Sequence, residues 1–199
     1  MSEDFNVLDL FRERAKEQER PADQSEARVL KFQKMHLERI NNIKRLAGRL
    51  PEAGEIMFLW TLNSFNAFTF IVYTIKHCGP IDELIFSTYS LNERIFTSLM
   101  KWYDKGEIKR ITLLISDSIR SRMPKIYDLL RSQAARRDLR VSYAWILSKV
   151  ILMRAGEHRF VVEGSGNFSE NALYEQYIYM NDERIYDFRK ECIERAADG

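Results

Sequence analysis

Cysteine and histidine are scarce in this chain of 199 residues, and no long apolar run or excess of one charge makes up for them. Each absence removes a class of protein. Cys78 and Cys192, far apart in the sequence, cannot make the multi-bridge framework of a small secreted domain and read as reduced, buried thiols. His36, His77 and His158 show no metal-ligand spacing and read as packing or capping residues. No stretch reaches the roughly 18 uncharged apolar residues of a membrane span, which speaks against membrane insertion. Residues 1–20 mix acids and bases without the apolar core of a signal peptide, so the default location is cytoplasmic. With 31 Lys and Arg against 29 Asp and Glu, the net charge of +2 is nearly silent about partners, and any polyanion must be argued from where charges lie. No internal repeat is present, so a duplicated two-site architecture is not encoded.

What is present is an ordered alternation of types. Residues 1–24 are charge-rich, with a short apolar cluster at Val7, Leu8, Leu10 and Phe11 and a break at Pro21. From Ser25 to Leu50, Val29, Phe32, His36, Ile40, Ile43, Ala47 and Leu50 recur at steps of three and four, predicting an amphipathic helix closed by Gly48 and Pro51. Residues 1–50 thus read as an N-terminal helical extension and 51–199 as the main domain. Within it, Glu55 to Trp60 predicts a strand, Phe65 to His77 a helix stopped by Gly79-Pro80, and Glu83 to Tyr89 a strand. Asn92 to Lys105 then predicts a helix, Lys109 to Ser116 a strand, and Ser118 to Arg137 a helix that must accommodate Pro124. This is an α/β signature, with parallel neighbours in one sheet and helices on both faces.

After Arg140 the rhythm turns to short β-rich runs at Val141 to Trp145, Lys149 to Met153 and His158 to Glu163, the last two joined by the turn Ala155-Gly156-Glu157. Tyr174 to Met180 predicts another strand and Glu183 to Arg195 a closing helix. The chemistry concentrates here. Lys149 can hold an anion as a point charge, Gly164 and Gly166 let backbone approach a ligand, and Asn167 can hydrogen-bond an anionic oxygen. Trp145, Tyr143, Phe168 and Tyr174 offer rings for stacking, although strand alternation assigns at least half of them to the core.

Lys149, the hairpin, Gly164-Ser165-Gly166-Asn167 and Glu175, in this order and spacing, resemble the phospholipase D superfamily, in particular its short single-motif, nuclease-like members. The resemblance is specific over Trp145 to Glu175. It implies an α/β/α sandwich around a mixed sheet, a metal-independent phosphodiesterase chemistry without cofactor, and a homodimer in which two motifs face each other. By position, Lys149 and Asn167 would grip phosphate oxygens, Ser165 would stand behind them, and Glu175 would orient a partner imidazole. Leu147 occupies the position of the family's nucleophilic histidine, and Arg154 that of its aspartate. Leucine has no lone pair, so nucleophilic catalysis there is excluded, a loss on the order of a million-fold in rate. Two roles are open to Arg154: pairing with Glu157 across the hairpin, or adding positive charge beside a ligand phosphate.

The segment 120–140 holds a local basic excess in which Arg120, Arg122, Lys125 and Arg131 are candidate contacts to a DNA or RNA backbone. On one continuous helix, Arg120, Lys125 and Arg131 would fall on different sides. Three functions follow. The first is a degenerate phospholipase D-like protein, of bacterial or mobile-element type, that binds phosphodiester without hydrolysing it. The second is a working phosphodiesterase or nuclease with another nucleophile, and the third a structural module that docks a partner through the amphipathic helix.

Overall fold

Apolar runs too short for helices and amphipathic stretches too long for strands alternate along the chain, and they assemble into a sheet with a helical layer on each face. A computed structural model describes residues 34–40, 49–61, 66–169 and 174–198. Eight strands are described: β1 Lys34–Ile40, β2 Glu55–Thr61, β3 Glu83–Thr88, β4 Ile111–Ser116, β5 Leu139–Ala144, β6 Val150–Ala155, β7 His158–Gly164 and β8 Glu175–Asn181. Five helices accompany them: α1 Ala67–Cys78, α2 Glu93–Asp104, α3 Ile119–Arg122, α4 Pro124–Ala134 and α5 Glu183–Asp198.

The strand order is β1-β2-β8-β7-β6-β3-β4-β5. β3, β4 and β5 run parallel, β1 runs parallel to β2, and β6, β7 and β8 are antiparallel to their neighbours. Two consecutive crossovers that step the same way across the sheet put α2 and the α3–α4 pair on one face. α1 lies on that face too, and Phe70 and Ile71 of α1, Phe96 and Leu99 of α2 and Leu130 of α4 bury against Met57, Phe86, Leu113, Met153 and Tyr179. Among the described residues, α5 covers the other face, through Tyr186 and Ile193 over Ile56, Ile85, Leu114, Leu152 and Val161. The mixed α/β/α sandwich expected from the sequence is therefore the fold.

Local chemistry explains the boundaries. Asn92 caps α2 by accepting from the Ile95 N–H at 2.8 Å. α1 is rich in β-branched and aromatic residues, yet burial of one side, with Phe70, Ile71 and Thr74 fully enclosed, outweighs propensity. It ends at Gly79, whose φ of 79° suits glycine, followed by Pro80. Gly156, at φ 56°, turns the β6–β7 hairpin.

Three expectations are corrected. Lys34–Ile40, read as part of a helix from Ser25 to Leu50, is strand β1, registered residue for residue on β2; its Met-His-Leu-Glu alternation fits period two as well as the helical steps fit 3.6. The rest of that helix, apart from Arg49 and Leu50, and the expectations for 1–24 lie outside the described residues. The single helix from Ser118 to Arg137 is two, because Met123 leaves helical geometry at φ −140° and Pro124 starts α4, where its missing N–H costs nothing. Cys192 is exposed on α5 rather than buried, and Cys78 is half-buried; both are free thiols.

A charged cluster seats α5. Glu83 Oε2 accepts from Tyr186 at 3.1 Å and from Lys190 Nζ at 3.0 Å, with Arg154 3.9 Å away. Burial pushes the Glu83 carboxyl up, but the hydrogen bond and charge of Lys190, the Tyr186 hydroxyl and the charge of Arg154 outweigh it and hold the pKa below the ordinary value. Asp182, which accepts from Arg184 and from the Ile185 N–H at the start of α5, is likewise held low despite burial. A depressed carboxylate pKa gives stability that is complete above the unfolded-state value and disappears as pH falls through the folded one. Unfolding free energy should therefore be flat from neutrality to about pH 5 and decline below it, and Lys190→Met should flatten the decline; urea titrations across pH check both.

Candidate functional site

At one end of the sheet the chain leaves β3, β4, β5, β7 and β2 and enters β6 and β8, so the ends of seven strands share a single rim. Ligands in α/β sheets gather at such ends. Lys149 immediately precedes β6, and Gly164 ends β7 directly across the ladder, its N–H donating to the Lys149 carbonyl at 3.4 Å. Ser165 follows, and its hydroxyl donates to Glu175 Oε2 and accepts from the Gln176 N–H at 3.1 Å. The Ser165 N–H donates to the Gln176 carbonyl at 3.1 Å. Ser165 is exposed, Lys149 and Asn167 are half-buried, and Glu175 is buried. Lys149, Ser165 and Glu175 thus come together at the ends of adjacent strands, and Asn167, two residues after Ser165, does not line the Lys149 corner. Lys149 Nζ, at 3.2 Å from the Leu147 carbonyl, keeps capacity for two further acceptors. The amide oxygen of Asn167 is buried and has no hydrogen-bond partner among the described residues.

The glycines serve a purpose the sequence did not disclose. A Cβ on Gly166 would collide with the Tyr177 hydroxyl and stand 2.8 Å from its ring carbon Cζ, and one on Gly164 would collide with the Tyr177 ring and the Gln176 carbonyl. Both positions are bare because the Tyr177 ring lies across them. Burial, and after it the Glu175 carboxylate, push the Tyr177 phenol pKa up, so the ring stays neutral. What remains between Ala67 at the start of α1, Lys149, Gly164, Gly166 and Tyr177 is a cavity of about 10 Å³. That is room for about one water. An anion at this corner must therefore meet Lys149 from the solvent side.

Leu147 is 73% exposed at the same rim, with no nucleophilic atom. Arg154 does not belong to the corner. It lies at the far end of β6, roughly 16 Å along the strand from Lys149, and its ion pair is with Glu83 rather than with Glu157 across the turn. His158, hydrogen-bonded with Asn181 at 3.0 Å, sits at that same far end, as does His77 at the end of α1, bonded to the Tyr73 carbonyl. A groove of about 340 Å³ between β4, β5 and the C-terminal half of α5, lined by Arg110, Arg140 and Glu194, shares no residue with the Lys149 corner.

The break at Met123 changes the basic segment. Arg120 and Arg131 converge on the Tyr127 ring at 5.5 and 5.7 Å, and Arg120 also covers Tyr143 at 5.0 Å while pairing with Asp117 at 2.5 Å. Arg122 reaches back over the Tyr89 ring at 4.1 Å and donates to the Tyr89 carbonyl. Lys125 is exposed on α4. Of the aromatic candidates, Phe168 is core, tilted on Phe86 at 4.6 Å, and Tyr143 is half-buried, whereas Trp145 and Tyr174 are 82% and 54% exposed. Trp60 joins them: it is 46% exposed and stacks on Tyr174 at 5.8 Å. Sequence reading assigned Trp60 to a buried strand; its place at a strand end was the available signal.

No family model and no curated protein matches the chain. Solved structures do match. Polyphosphate kinase from Porphyromonas gingivalis superposes with a TM-score of 0.53 at 15% identity, over 72% of this chain and 26% of its own. Phosphatidylserine synthase from Haemophilus influenzae Rd KW20 gives 0.49 at 11% identity, over 71% and 38%. TrmBL2, an archaeal chromatin protein, gives 0.45 at 11% identity, over 70% and 48%. The chain spans less than half the length of each of these neighbours. The polyphosphate kinase likeness, at this identity, speaks for the fold alone.

The Tyr177–glycine contact is testable. Gly166→Ala should lower the unfolding free energy by about 1–3 kcal/mol through overpacking. In a Tyr177→Leu background the same substitution should cost distinctly less, as read from a double-mutant cycle of denaturant melts.

Proposed function

We propose that this protein is a degenerate phospholipase D-like protein that binds a phosphodiester backbone at the Lys149 corner without hydrolysing it, and does so as a homodimer. The observation that carries the reading is the meeting of Lys149, Ser165 and Glu175 at three adjacent strand ends, with Leu147 beside them. Lys149 supplies the positive charge. Asn167 brings an amide whose NH2 group can donate to a phosphate oxygen. Ser165, fixed by Glu175, holds the turn in place.

Among the residues whose side chains are described, hydrolysis through a substitute nucleophile finds no support in this arrangement. His77 and His158 lie at the opposite end of the sheet, and the Ser148 hydroxyl is engaged with Ser87 at 2.9 Å. The corner retains an anion grip while the position that would attack phosphorus is a hydrocarbon.

The test compares the natural chain with Lys149→Ala and Leu147→His. The natural protein should leave bis(p-nitrophenyl) phosphate intact with chelator present and should bind duplex DNA. Lys149→Ala should weaken that binding about tenfold, the worth of one charge-assisted contact. Leu147→His should introduce slow turnover. Hydrolysis by the natural protein that Lys149→Ala abolishes would overturn the reading. Light scattering should give twice the 23.6 kDa chain mass.

A further inference from the structure

We infer that the groove between β4, β5 and the C-terminal half of α5 binds a small zwitterion of the free amino acid class, with one carboxylate and one ammonium on an apolar body. The groove shares no residue with the Lys149 corner, so the inference stands apart from the phosphodiester reading. Three observations support it.

First, sheet and helix build a cleft of the right size. β4 and β5 run parallel, with Thr112 opposite Arg140 and Leu114 opposite Ser142. Leu114 belongs to the core under α5, so by period two Arg110, Thr112, Arg140 and Ser142 stand on that same face. β5 is the last strand of the sheet, so the space beside the helix opens to solvent there. α5 supplies the wall through two pairs one turn apart, Ile193 with Ala197 and Glu194 with Asp198. The enclosed volume is about 340 Å³, at the lower end of the range for small-molecule clefts.

Second, its charges are separated by sign and unpaired. Arg110 and Arg140 come from the sheet, Glu194 and Asp198 from the helix, and none of the four side chains makes an ion pair or hydrogen bond among the described residues. The hydroxyls of Thr112 and Ser142, beside Arg140, are uncommitted as well. Pairing is otherwise the habit of this surface: Lys109 bridges to Asp82 at 2.7 Å and Arg137 to Asp104 at 2.8 Å. Glu83, which also lines the groove, is taken up by Tyr186 and Lys190. Asp138 lies one residue beyond the paired register, opposite Arg110, and tempers its charge. Arg140 is therefore the principal anion contact.

Third, the lining disfavours a ligand of one sign. An anion would meet the carboxylates of Asp138, Glu194 and Asp198, and a cation would meet two guanidiniums. A molecule carrying both signs finds a partner for each. Its carboxylate sits on Arg140 with the Thr112 and Ser142 hydroxyls, and its ammonium on Glu194 and Asp198. Those two acids stand at the C-terminal end of α5, where the negative end of the helix dipole also favours a cation. Ile85, Leu114 and Ile193 are buried beneath, an apolar floor for an aliphatic or aromatic ligand side chain.

The experiment is isothermal titration calorimetry of the full chain with L-leucine, L-methionine and L-phenylalanine. At least one should bind saturably, with half-saturation below about 1 mM. The amide of that amino acid, which lacks the carboxylate, and its N-acetyl derivative, which lacks the ammonium, should each bind about tenfold more weakly. Arg140→Met should bring the free amino acid and its amide to equal affinity. Glu194→Gln combined with Asp198→Asn should equalise the free amino acid and its N-acetyl derivative. These ratios are the readout, because a folding defect weakens all probes together and cannot equalise two of them. The substituted positions are exposed, so urea midpoints should stay near that of the natural chain. Absence of saturable heat from all three amino acids up to about 10 mM, capped derivatives that bind as tightly as the free form, or ratios unchanged in both variants would overturn the site.

Discussion

The register of β6 against β7 is the constraint on which the site depends. Val150 faces Glu163 and Ala155 faces His158, which puts Lys149 opposite Gly164 and on the same face as Ile151 and Met153. A slip of one residue would carry Lys149 to the α5 face and exchange the two cores' side chains. Gly156 fixes the hairpin that sets this register, and Phe160, Val161 and Val162 bury on alternate faces and hold it. The hairpin in turn occupies the middle of the sheet, so both wings are aligned by it.

Most of the element order was legible, because short apolar runs bounded by Gly, Pro and Asn leave few alternatives. Glu83–Thr88, Glu93–Asp104 and Glu183–Asp198 lie within a few residues of their expected bounds. What was not legible had tertiary causes. Lys34–Ile40 satisfies two periodicities at once, and only the presence of β2 beside it decides between them. Pro124 signalled a perturbation, but whether it kinks a helix or starts one depends on the turn at Met123.

The site was half readable. The spacing of Lys149, Ser165 and Glu175 placed them near one another, since a hairpin and a strand return bring such positions together. The purpose of Gly164 and Gly166 could not be read, because the ring that needs their bareness belongs to Tyr177, on the next strand. Glycine in a strand marks close approach by something; the sequence does not say whether that is a ligand or a neighbour. Arg154 misled for a similar reason, since its partner Glu83 is contributed by β3 and not by the hairpin.

β1 and β2 join the remainder of the sheet through one ladder, in which Glu55 meets Asn181 and Thr61 meets Glu175. The two sides of that ladder come from distant parts of the chain, so closing it carries a loop-closure entropy larger than that of the local β6–β7 hairpin. Once folded, the same ladder is a seam. Amide hydrogens of β1 and β2 should exchange at a lower free energy than those of β3, β6 and β7, which lie inside the sheet. Trp60 rides on the wing and Lys149 on the body, so the distance between them is set by how often the seam is shut.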